Sequence, residues 1–197
     1  MSFFGYLKLG GCLFAAALLL PAATRSEAQS CPVGTRTAES YTWKFKWEAQ
    51  GLLDDVVSDA RQARDHADML QSLMSGAEPD WHPQATELYG IRDDVNDMGR
   101  KLCRLETIRR VTSPWERQAI DHAAPLVTEL ANDTDKAIAF LNDNRTDLFN
   151  ADYKMYGADL YERSGKLRRS VMEFEKLGKV HHEDLRLEKA LGLIKRS

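Results

Sequence analysis

Tyr153, Tyr156 and Tyr161 fall within eleven residues of one another and form the densest group of side chains able to hold a ligand. A tyrosine pairs an apolar ring with a hydroxyl that donates and accepts, which suits a cleft between helices or a partner surface. Tyr89 and Trp115 add to the set from elsewhere in the chain, and Gly157 would let a ligand or another backbone approach closely. The plainer reading has the greater weight: the rings fill a core and turn their hydroxyls to its edge. A second group is basic. Lys166, Arg168 and Arg169 lie on the stretch from Arg163 to Arg196, where basic residues outnumber acidic ones, and they would suit an acidic partner.

Metal and cofactor chemistry finds little support. No Glu is followed three residues later by His, the spacing that carboxylate-bridged di-iron bundles need, and His-Glu-x-x-His is absent. His181, His182, Glu183 and Asp184 are consecutive, so on a helix they fan out instead of converging. Asn132 to Asp135 has oxygen ligands but no glycine turn for calcium. There is no Cys-x-x-Cys-His, which leaves only His66 or His122 with Met69, Met98 or Met172 as axial ligands for a non-covalent haem. No nucleophile elbow and no phosphate-cradling glycine loop occurs. The expectation is a non-enzymatic protein with no metal or cofactor. A ligand- or haem-binding bundle with a tyrosine-lined pocket is the alternative.

The N-terminus has the pattern of an export signal over residues 1–28. Lys8 precedes the apolar run from Cys12 to Leu20, Pro21 ends it, and Ser26-Glu27-Ala28 offers a small-x-small cleavage site. The run is too short to span a bilayer comfortably, and no second one follows. The expected address is therefore periplasmic or secreted, with no membrane span after cleavage. Two cysteines then remain, Cys31 and Cys103. In an oxidising compartment an even pair predicts a disulfide, here between the mature N-terminus and the second long helix. The net charge of −3 gives no footprint for nucleic acid.

The elements that would position these residues are four long amphipathic segments. After an extended lead over 29–40, apolar residues recur every three or four positions over 41–75 (Phe45, Ala49, Leu52, Val56, Ala60, Ala63, Ala67, Leu70, Met74). A turn holding Gly76, Pro79 and Pro83 separates this from a helix over 83–111. The third helix, 114–143, opens with Ser113 as cap, Pro114 in the first position and Glu116 closing a capping box. Pro125 should kink or break it. Asn142 to Asp147 reads as a turn. The fourth helix covers 148–177 and should bury Phe149, Tyr153, Tyr156, Leu160 and Leu177. Gly178 is its expected stop, and 179–197 form a weakly amphipathic tail.

Each stripe must be covered, and the short links make neighbours antiparallel. The expected fold is all-α: an antiparallel up-down-up-down four-helix bundle with long helices and a short C-terminal tail. That order places the acidic first helix beside the basic last one, where attraction across the seam or a partner-binding basic patch would follow. The expected role is an exported interaction module for a protein or envelope component.

Overall fold

The computed structural model describes residues 42–76 and 80–191. The expected export segment, the lead with Cys31 and the end of the tail lie outside the described residues. Four helices carry the described chain: α1 Thr42–Met74, α2 Trp81–Ile108, α3 Pro114–Asp143 and α4 Ala151–Ala190. Each packs against its two neighbours in the ring α1–α2–α3–α4 and scarcely touches the helix diagonal to it. This is the up-down-up-down four-helix bundle that four apolar stripes and short links require.

Local chemistry sets the helix ends. At α3 the Ser113 hydroxyl accepts from the Glu116 N–H at 3.4 Å, and the Glu116 carboxylate accepts from the Ser113 N–H at 2.6 Å. Two N–H groups without helical partners are thereby satisfied. A short 3-10 turn, Arg109–Val111, leads out of α2 toward this cap. The start of α2 is two residues earlier than the prolines suggest. Asp80 caps it by accepting from the His82 N–H at 3.0 Å, and Pro83 falls in the first turn, where no N–H is needed. The start of α4 is three residues later than the apolar pattern suggests, because Asn150 caps it through the Asp152 N–H at 2.8 Å. Pro125 does not break α3. It lies on the exposed side, where water meets the carbonyl that lacks a partner.

The core is built from a narrow helix and three broader ones. Ala49, Ala60, Ala63 and Ala67 of α1 are fully buried, so the neighbouring helices can come close. The space is filled by Leu88, Ile91 and Leu105 of α2, Ile120 and Leu130 of α3, and Leu160 and Leu167 of α4. Leu53, not Leu52, takes the fully buried place on α1. Phe149 is 58% exposed instead of buried, because Leu148 occupies the inward position just before the Asn150 cap.

The largest departure is at the end of α4. Gly178 does not stop the helix, which continues to Ala190. The glycine is buried beneath the Trp115 side chain: a Cβ there would lie 2.5 Å from the ring carbon Cε2. The residue is therefore a seat for an indole and not a helix terminator. Beyond this seat α4 leaves the start of α3 behind. Residues 179–191 are all exposed, so the described part of the expected tail is an undocked extension of α4. Leu177, just before the seat, is 55% exposed for the same reason.

Candidate functional site

Ion pairs decide which faces of the bundle are already occupied. Polar residues of α1 pair with α2: the acids Glu48 with Arg104 at 2.6 Å and Asp59 with Lys101, and the histidine His66, through Nδ1, with Glu87 at 2.7 Å. Between α3 and α4, Arg163 is held by Glu129 and by Asp133, whose Oδ2 lies 2.7 Å from Nε. Arg109 and Asp121 link α2 to α3 at 2.6 Å. Among the described residues no ion pair joins α1 to α4. The expected attraction across that seam is thus not made through direct pairs, and two of the acids of α1, Glu48 and Asp59, are taken up by α2 instead.

Like charges meet on the α1–α4 seam instead. The carboxyls of Asp54 and Glu175 face each other, and burial first, then the Asp54 charge, pushes Glu175 up to about 6. Two turns or more along α4 the pairing is cationic. The Arg64 guanidinium of α1 lies over the Tyr161 ring at 4.4 Å from its centroid and donates a hydrogen bond to the Tyr161 hydroxyl. Arg169 approaches the same place from α4. A Cβ built on Gly165 would lie 3.2 Å from Arg169 Nη1 and 3.4 Å from Arg64 Nε. The two guanidiniums therefore converge over the one residue there that has no side chain. Among the described residues neither has a carboxylate within ion-pair distance.

A cleft of about 350 Å³ opens at this point, lined by Arg64, Gln71, Ala158, Tyr161, Glu162, Gly165 and Arg169. Helical geometry explains the lining. Ala158, Tyr161, Glu162, Gly165 and Arg169 are spaced by three and four residues and form one stripe of α4. Its far end is held by Gln71 Nε2, which donates to the Gly157 carbonyl at 3.2 Å. Glu162 is the one acidic side chain on the wall. It is exposed, so water screens it.

The aromatic set singled out in the sequence is not gathered into one pocket. Tyr161 alone lines the cleft. Tyr153 is fully buried and stacked on Phe140 of α3 at 4.9 Å, and burial raises its hydroxyl pKa. Tyr156 is half-buried against the core, Tyr89 is exposed beneath Arg92, and Trp115 sits on Gly178 at the other end of α4. Of the basic group, Arg169 enters the cleft. Lys166 and Arg168 fall on either side of its stripe at roughly 100° per residue. Arg64 was not among the residues that the sequence picked out. The signal was there: with Arg61 it is one of two bases on the otherwise acidic stretch from Glu48 to Asp80, adjoining the Ala60–Ala63–Ala67 stripe.

The remaining histidines have ordinary neighbours. His66 packs over Gly90 beside Glu87, and His122 lies 4.9 Å from the Phe174 ring. Among the described residues no three His, Cys, Asp or Glu side chains converge as a metal set. No described helix is long and apolar enough to cross a membrane.

Asp94, on the α1–α2 side, is held in an unfavourable ionised form. Burial, then the charges of Asp59 and Asp93, push it up to about 6, against opposition from His66 and Lys101. Its Oδ2 is buried without a hydrogen-bond partner among the described residues. A carboxyl with a raised folded-state pKa binds its proton more tightly folded than unfolded. It therefore costs stability as pH rises from about 4 through about 6. Asp94→Asn removes that cost. The variant should match the parent in urea melts at pH 4 and exceed it at pH 7.5 by roughly 1 kcal/mol, after discounting for solvent screening of a half-exposed group. Equal stability at pH 7.5 would mean that Asp94 ionises without penalty.

The chain matches no protein-family model, no curated protein and no solved structure.

Proposed function

We propose that this chain is an exported, non-enzymatic binding module that engages an anionic feature of a protein or envelope component through the α1–α4 face of its bundle. The observation that carries this reading is the convergence of Arg64 and Arg169 over Gly165, beside Tyr161, with no carboxylate paired to either guanidinium among the described residues. Every other close cross-helix cation named above is neutralised by an acid, so this pair is the basic feature left for a partner. Lys166 and Arg168 flank it and widen the basic face.

Export rests on the charged, apolar and small-residue regions of residues 1–28, and the proposed Cys31–Cys103 bridge rests on export. The bridge would tie the mature N-terminus to the far end of α2 through half-buried Cys103. The tyrosine-lined pocket is the weaker reading, because the rings are spread over several faces.

The test is capture from a solubilised envelope fraction by the full mature protein and by a variant carrying Lys166→Gln, Arg168→Gln and Arg169→Gln. All three residues are solvent-exposed or half-buried, so the variant should fold as the parent does. Loss of the parent's captured set supports the reading. Retention of the same set by the folded variant overturns it.

A further inference from the structure

We infer that the α1–α4 cleft is a phosphate-class oxyanion site, with Arg64 and Arg169 as its two cationic arms. The inference rests on the binding reading above and names the chemistry that its face would recognise. Two guanidiniums held together over Gly165 repel one another, and among the described residues no acid relieves them. An anion placed between them turns that repulsion into two attractions.

The geometry favours phosphate over carboxylate. A carboxylate presents one edge and one charge, which suits a single guanidinium fork. A phosphate monoester carries up to two charges on three oxygens, so two forks can engage it from different sides. Arg64 is already oriented. Its guanidinium is fixed by the Tyr161 ring and hydroxyl, so little side-chain freedom is lost when an anion arrives. Arg169 is exposed and can close over the anion. The cleft, at about 350 Å³, holds more than a bare phosphate. It matches the lower end of small-molecule sites and leaves room for the group that carries the phosphate. Glu162 at the wall would accept a hydrogen bond from a hydroxyl on that group.

Two sources share this chemistry: a soluble phosphate monoester and the monoester headgroup of phosphatidic acid. The experiment uses the full mature protein. Inorganic phosphate is titrated by NMR, with sodium acetate as the carboxylate comparison. In parallel, sedimentation is measured with vesicles containing phosphatidic acid and with phosphatidylcholine vesicles.

Saturable phosphate binding is expected, weakened about ten-fold or more in Arg64→Gln and in Arg169→Gln and unchanged in Arg110→Gln, a base far from the cleft. Because Arg64 packs on Tyr161, its variant is accepted only with a parent-like urea midpoint. The exposed Arg169 gives a second variant whose folding is not in question. Co-sedimentation with the phosphatidic acid vesicles alone, lost in the same variants, assigns the headgroup. Phosphate binding without vesicle binding assigns a soluble compound.

Absence of saturable phosphate binding overturns the inference, as does binding that Arg64→Gln and Arg169→Gln leave intact, or acetate binding as tightly as phosphate. If phosphate fails while envelope capture still requires Lys166, Arg168 and Arg169, the oxyanion site is wrong and the interaction reading stands. If both fail, neither stands.

Discussion

Replacing Gln84 with Met is expected to stabilise the protein by about 1–3 kcal/mol, a gain of several degrees in Tm for a chain of this size. Gln84 is fully buried in the first turns of α2, and among the described residues neither its amide nitrogen nor its amide oxygen has a hydrogen-bond partner. The folded state therefore bears the desolvation of both groups without return. Methionine keeps the length and flexibility of the side chain and has no such groups. Tyr153→Phe should move the same way by a smaller amount, since its buried hydroxyl is likewise unpartnered. Urea melts of both variants are the check. A loss of stability in Gln84→Met would mean that an ordered internal water satisfies the amide, a role that a thioether cannot take over.

Gly178→Ala should act in the opposite direction, with a net loss of about 2 kcal/mol. Helix propensity alone would favour alanine by up to about 1 kcal/mol. The added Cβ, however, would stand 2.5 to 2.6 Å from three atoms of the Trp115 indole, a rigid group that cannot bend aside locally. The ring must leave its seat, and overpacking of this kind costs about 1–3 kcal/mol before the lost contacts are counted. Comparison with Trp115→Ala and with the double variant identifies the cause. The two single losses should be strongly non-additive, because removing the indole removes the clash. Additive losses would place the defect in the α4 backbone instead.

These two sites show where sequence reading works and where it stops. The α3 start was legible residue by residue, because Ser113, Pro114 and Glu116 act on their own backbone within one turn. The four stripes were legible because burial repeats with the helical period. Gly178 was misread as a stop because glycine after an apolar run has two physical uses, ending a helix or admitting a bulky neighbour. Only the neighbour decides, and Trp115 lies on another helix. Phe149 failed for a similar reason: the Asn150 cap begins α4 beyond it and leaves Leu148 facing inward. At the cleft, Tyr161 and Arg169 were legible as residue types on a basic helix. Arg64 was not, because its role depends on which residue of α4 stands opposite it.

The distribution of charge along the helix seams has a consequence for how the bundle responds to its medium. Pairs such as Glu48–Arg104, Asp59–Lys101 and Arg163–Asp133 stitch α1 to α2 and α3 to α4. The α1–α4 junction instead sets Asp54 against Glu175 and Arg64 against Arg169. Dissolved electrolyte damps attraction and repulsion alike. Raising the ionic strength therefore loosens each helical hairpin and the Arg109–Asp121 tie between them a little, while easing the repulsion along the α1–α4 junction.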